Sequence, residues 1–327
     1  MKLETIYLYE NRKDVSLTAY LLDDSPEMLA GKARPGILVC PGGGYFNCSD
    51  REAEPIALKF ASLGYHAFVL RYATYTGSAD FPDLSKPMAV KEECLYPHAL
   101  REIGKSFLLL RERAEAWKLD DARIAVCGFS AGGHNAALYA TRWHEDILSG
   151  YFQADRELFR PAAAILGYPL TDYVYKREAE SRLPKMNQDF FRKSDAAFLG
   201  SETPDDALLE EVSPARHVSE LTPPVFLWAT AADELVPVQH SLLMARALAD
   251  QKVPFEMHIF EEGMHGLSLA SQACAAARSQ INADAAQWPD LAARWLAKRF
   301  ALPLEEKTAY EKMLEQGIFP GMTPAGA

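Results

Sequence analysis

The stretch RIAVCGFSAGGHNAALYA (123–140) decides the fold, because a serine stands between two glycines where a strand-like run gives way to a helix-like one. Ile124, Ala125, Val126 and Cys127 form a short apolar run suited to a buried strand, and the alanine-rich residues 136–140 suit a helix. Ser130 is the punctuation between them. Outward from this point, apolar strand-like runs alternate with longer helical patterns. The runs are GILVC (36–40), HAFVLRY (66–72), RIAVCG (123–128), AAAILGYP (162–169), PVFLWAT (224–230) and FEMHIFEE (255–262). Helical spacing is expected over 52–63, 98–118, 131–143, 238–251 and 285–300, with apolar residues three and four apart. Two further strands near the start, about 6–9 and 17–22, read as an antiparallel edge. This alternation predicts an α/β domain with a mostly parallel central sheet covered by helices on both faces.

With 327 residues, 49% of them hydrophobic, the chain is long enough to bury a large core, and it is read as one domain, 1–327. Residues 171–222 are rich in charge and aromatics and interrupt the alternation, which predicts an inserted lid or cap beside the strand ends. The tail, 301–327, ends in FPGMTPAGA and is expected to be loosely ordered or a packing arm.

A formal net charge of −11 with no cluster of Lys and Arg argues against nucleic acid or an anionic membrane as partner, and favours a neutral small-molecule substrate. No apolar run is long enough to span a bilayer, and the N-terminus lacks the layout of a signal peptide, so a cytoplasmic location is expected. Five cysteines, Cys40, Cys48, Cys94, Cys127 and Cys274, are scattered with no CxxC pair. They are expected to be reduced, buried thiols, and neither a disulfide framework nor a metal site is expected. No cofactor is implied, and a homo-oligomer is left open.

GFSAG (128–132) fits G-x-S-x-G, with the strand and helix the motif needs on either side. A serine on so sharp a turn adopts a strained backbone, so the positions two before and two after it, Gly128 and Gly132, must lack side chains. The turn also sets the hydroxyl at a helix N-terminus, where free N–H groups favour developing negative charge. A serine hydroxyl needs a base, and the base needs an orienting acid. Among 8 histidines, His265 in EEGMHGL follows a strand-like run, at the sheet edge where open α/β sheets carry their chemistry. His134, close to Ser130 but inside the following helix, is the rival. Asp233, after PVFLWAT, is the preferred acid, and Asp172 in YPLTD the second choice. For the oxyanion, the run CPGGGYF (40–46) allows close backbone approach, and the N–H groups of Gly43, Gly44 and Ala131 are the expected donors. Tyr45, Tyr72 and Tyr168 are expected to line a compact pocket.

On these residues the chain resembles the α/β-hydrolase superfamily, in particular the bacterial esterases that group with acetyl xylan esterase-like and feruloyl esterase-like enzymes. The resemblance runs from PGGGYFNCSDREAEPIALKFASLGYHAFVLRY through RIAVCGFSAGGH and SPARHVSELTPPVFLWATAADELVPVQHS to FEEGMHGLSLA and WPDLAARWL. It implies Ser130 as nucleophile, His265 as base, Asp233 as its acid and PGGGY as the oxyanion loop. Pro41 stands where lipase-like relatives carry a histidine before the glycines, which points towards carbohydrate esterases. The implied function is a serine carboxylesterase that removes short acyl groups such as acetyl from xylo-oligosaccharides or related carbohydrates. Two alternatives are a prolyl-oligopeptidase-type peptidase, against which the short segment before Pro35 speaks, and a non-catalytic binding protein on the same scaffold.

Overall fold

The computed structural model describes residues 1–316 apart from 26, 30 and 78–80. Eight strands form one sheet: β1 (Lys2–Tyr9), β2 (Arg12–Leu21), β3 (Arg34–Cys40), β4 (His66–Arg71), β5 (Leu119–Phe129), β6 (Ala163–Gly167), β7 (Val225–Thr230) and β8 (Phe255–Phe260). Their spatial order is β1-β2-β4-β3-β5-β6-β7-β8. The β1–β2 hairpin pairs antiparallel with β4, and every pairing from β4 across to β8 is parallel. The expected fold class is the observed one.

The central strands are continuous apolar runs because helices cover both of their faces. In β3, β6 and β7 every residue is buried. On one side of the sheet Leu38, Phe68, Val126 and Leu166 meet Leu100, Phe107 and Leu138 from the helices His98–Glu112 and Ser130–Arg142. On the other, Ile37, Val39, Cys127 and Phe226 meet Ile56 and Phe60 from Glu54–Ser62 and Trp288 and Trp295 from Trp288–Ala297. All five cysteines are buried.

Several boundaries differ from the sequence reading, each for a local reason. The antiparallel hairpin is longer than expected because the outer strand can keep one face in water, so its alternation includes exposed positions. The expected helix 98–118 breaks at Arg113 into His98–Glu112 and Ala114–Trp117, then stops where Lys118 turns left-handed at φ 51°. The first turn of the helix after β5 begins at Ser130 itself. Residues 171–222 hold three α-helices, Tyr173–Ala179, Lys185–Leu199 and Asp206–Glu211. Two of them are tied together by a buried ion pair, Lys176 with Asp195. The start of the tail touches the rest of the chain, where Ala301 accepts from Arg123 and Leu302 lies against Gly64, and the helix Ala309–Glu315 buries no residue. FPGMTPAGA lies outside the described residues.

Close backbone approach around Ser130 sets the tightest steric limits in the domain. A Cβ on Gly132 would lie 2.1 Å from the Cys40 carbonyl oxygen and 2.3 Å from that of Pro41, and one on Gly128 would lie 2.1 Å from the Gly132 oxygen. Those are backbone atoms that cannot rotate away. Gly132→Ala is therefore expected to cost about 3 kcal/mol or more, read from the urea midpoint of unfolding, whereas Gly150→Ala on an open helix surface is not.

Candidate active site

β5 ends at Phe129 in extended backbone, and Ser130 follows at φ 52°, a left-handed conformation unusual for a residue with a Cβ. The chain reverses there, and the serine hydroxyl stands at the mouth of the helix. β7 ends at Thr230, and the turn behind it carries Asp233. Past the end of β8, Gly263 at φ 138° starts the loop that carries His265, and its carbonyl accepts from the Thr230 hydroxyl at 2.8 Å. The ends of β5, β7 and β8, with β6 between the first two, thus aim three side chains at one point. His265 Nε2 lies 2.7 Å from Ser130 Oγ, and His265 Nδ1 lies 2.6 Å from Asp233 Oδ2.

The second oxygen of Asp233 accepts the N–H groups of Leu235 and Val236, both at 2.9 Å, so the carboxylate cannot swing away. Its side chain is fully buried, and that of His265 is 14% exposed. Burial pulls the imidazole pKa down, but the charge and hydrogen bond of Asp233, with a further contribution from Glu52, outweigh it and hold His265 above the ordinary histidine value. An imidazole donating through Nδ1 leaves Nε2 free to accept the serine proton.

The rivals are spent elsewhere. His134 is wholly buried, with Nδ1 accepting from the Tyr45 hydroxyl at 2.5 Å and Nε2 donating to the Val212 carbonyl at 2.7 Å. Burial presses it down to about 4. Asp172 caps the Tyr173–Ala179 helix by accepting from Tyr175 N–H at 2.7 Å, and it pairs with Arg216 at 2.9 Å.

The glycine run sits directly over Ser130. A Cβ on Gly42 would come within 2.9 Å of the Ser130 Cβ. Gly42 N–H donates to Glu52, whereas the Gly43 and Gly44 amides have no protein acceptor among the described residues. Ala131 lies in the first helical turn, where amides lack intrahelical partners. Gly43 and Gly44 take positive φ, 131° and 62°, as a loop folded back on itself requires.

The tyrosines divide. Tyr45 borders a niche of about 20 Å³ beside Ser130, walled also by Leu170, Tyr173, Phe191 and Val236. Tyr72 and Tyr168 do not take the substrate-facing place expected of them. Their hydroxyls are bonded inside the protein, Tyr72 to the Pro41 carbonyl at 2.7 Å and Tyr168 to Glu52 at 2.6 Å, and both rings are buried. They brace the loops that build the site. A second, wider cleft of about 900 Å³ opens on the His265 side, lined by Phe81, Met186, Phe190, Leu235 and Met264. Sequence reasoning missed this apolar wall, because Met186 and Phe190 lie on a helix whose contacts are set only by the packing of residues 171–222. It also missed Glu52, which reads as an ordinary helix-start acid.

Residues 25–248 match the BD-FAE family. A carboxylesterase from Lactobacillus plantarum WCFS1 has a similar structure, with a TM-score of 0.73 and 30% identity over 93% of this chain and 100% of that one. So does an acetyl ester-xyloside bifunctional hydrolase from Caldicellulosiruptor lactoaceticus, with a TM-score of 0.68 and 32% identity over 90% of this chain and 96% of that one. Endo-1,4-beta-xylanase B of Butyrivibrio fibrisolvens is 32% identical over 256 residues, 78% of this chain and 35% of its own length. The chain spans between 35% and 51% of the length of the curated relatives it matches. With a family match that covers most of the sheet and a fold shared with carboxylesterases end to end, the chain belongs to the BD-FAE family and is an esterase-like α/β-hydrolase.

Proposed function

We propose that the protein is a serine carboxylesterase that removes acetyl groups from xylo-oligosaccharides or related carbohydrates. The observation that carries the reading is the hydrogen-bonded chain from Ser130 through His265 to Asp233 beneath the glycine loop. In this mechanism Ser130 Oγ attacks the ester carbonyl carbon while His265 Nε2 takes its proton. Asp233 balances the imidazolium that forms. The tetrahedral oxyanion is met by the N–H groups of Gly43, Gly44 and Ala131. The C–O bond to the alcohol then breaks, and His265 returns the proton to the departing oxygen. A water molecule, deprotonated by the same imidazole, releases acetate from the acyl-enzyme and regenerates Ser130.

The size of the niche supports a small acyl group. About 20 Å³ is room for one water molecule or a methyl group, and its walls are buried rings. The wide cleft on the His265 side has room for the alcohol part, and the exposed ring of Phe81 and the half-buried ring of Phe190 can take a sugar face. The names of the relatives, an acetyl ester-xyloside hydrolase and a xylanase, support the carbohydrate class.

Acetate release from acetylated xylo-oligosaccharides, run beside 4-nitrophenyl acetate, tests the reading. Turnover of both by the wild type, and loss of both in Ser130→Ala, is the expected result; turnover of the nitrophenyl ester alone would discard the sugar. Along an acyl series, kcat/KM for the hexanoyl ester is expected to fall about tenfold or more below the acetyl ester, because added methylenes must displace packed rings.

The pH dependence follows from the state of His265. The base must be neutral, so kcat/KM is expected to fall as pH drops through a value above the ordinary histidine pKa. Asp233→Asn leaves burial unopposed by its strongest partner, so the acid limb should move to lower pH while kcat falls by roughly 10⁴. A limb that stays in place would remove Asp233 from the mechanism.

A further inference from the structure

The short turn Asp50–Glu52 follows the glycine loop and is not used in any step above, yet its atoms reach both sides of the site. Glu52 is 3% exposed. One carboxylate oxygen accepts Gly42 N–H at 2.8 Å, and the other accepts the Tyr168 hydroxyl at 2.6 Å. The Tyr168 oxygen in turn accepts Ser268 N–H at 2.8 Å, three residues past His265. Arg51, next in the same turn, donates to the carbonyls of Gly266 at 2.8 Å and Cys274 at 2.6 Å. The Ser268 hydroxyl donates back to the Arg51 carbonyl.

The two loops that this turn joins have little regular structure of their own. The His265 loop contains Ser268 and Ala270 in left-handed backbone, at φ 55° and 51°, without the freedom of glycine. The glycine loop is held by its turn bonds, by Ser49 N–H on the Gly42 carbonyl at 2.8 Å, by Tyr75 and Thr76 N–H on the Tyr45 and Phe46 carbonyls, and by the Tyr72 and Ser194 hydroxyls on the Pro41 and Gly44 carbonyls, none of which reaches the His265 loop. Neither loop lies in the β-ladder, so the distance between base and oxyanion donors has to be fixed by side chains. A Cβ on Gly42 would lie 2.7 Å from a Glu52 oxygen, so the carboxylate sits hard against the loop. Tyr168 stacks edge-on against His265 with ring centroids 5.1 Å apart.

We infer that Glu52 is a positioning residue: through Gly42 on one side and Tyr168 and Ser268 on the other, it locks the oxyanion loop and the His265 loop into one register. The inference rests on the esterase reading for its effect on turnover, but the bridge itself does not. Glu52→Gln keeps the shape and cannot accept from both donors at once. Tyr168→Phe removes only the second link.

Hydrogen–deuterium exchange of the full chain tests the bridge without substrate. In Glu52→Gln, amides in the segments 42–49 and 263–274 are expected to exchange about tenfold faster, while β1 and β2 stay as in the wild type. Tyr168→Phe should loosen the 263–274 segment alone. On a turned-over acetyl ester, kcat is expected to fall about 10- to 100-fold in Glu52→Gln with KM little changed, as a displaced base predicts. The double variant should be no worse than Glu52→Gln alone, because the two residues form one bridge. Unchanged exchange in both loops, unchanged kcat or additive losses would each overturn the inference. Faster exchange in both loops of a protein whose wild type cleaves no ester would support the bridge and refute the esterase reading instead.

Discussion

The reversal of the chain at Ser130 is the constraint on which the rest of the structure depends. A left-handed residue between a strand and a helix leaves no volume for side chains at Gly128 and Gly132, and in return it brings the helix mouth against the carbonyls of Cys40 and Pro41. That contact puts the glycine loop over the serine. It also makes the order of strands consequential: β3 and β5 must be neighbours for the loop after one to cover the turn after the other, and they are. The strain at the turn, of the order of 1–3 kcal/mol, is offset by the packing of β5 among strands buried on both faces.

The segment 171–222 contributes in a different way. It walls the niche beside Ser130 with Tyr173 and Phe191 and gives the wide cleft its Met186 and Phe190. A buried charge pair between two of its helices, Lys176 with Asp195, is costly to separate, so these helices are joined as a unit. The Ser194 hydroxyl donates to the Gly44 carbonyl at 2.9 Å, which ties that unit to the glycine loop. The shape of the niche and the position of the glycine loop are therefore coupled.

Much of this was legible in the sequence, because the features involved are local. Strands buried on both faces appear as unbroken apolar runs, and the nucleophile turn needs glycines at fixed offsets from one serine. The placement of Asp233 and His265 beyond successive strands follows from the common direction of β7 and β8. What was not legible depends on contacts between distant segments. Glu52 and Tyr168 are 116 positions apart, and nothing near either residue signals the bond. Tyr72 and Tyr168 have the composition of pocket residues, and only the position of the Pro41 carbonyl and the Glu52 carboxylate shows that their hydroxyls point inward. His134 is close to the serine in sequence yet turned away in space, because a helix of this pitch directs it towards Tyr45 and Val212.

The separation of the site along the chain has a consequence for biogenesis. Ser130 and His265 stand 135 positions apart, with Asp233 between them, 32 positions before His265. The Ser130 hydroxyl meets His265 only after β6, β7 and β8 have docked in order outward from β5, the slow, non-local kind of pairing. During synthesis the nascent polypeptide carries the serine long before His265 and Asp233 can reach it. The meeting of Ser130 with His265 and Asp233 is thus a late event, and any property that depends on that alignment reports how far maturation has progressed.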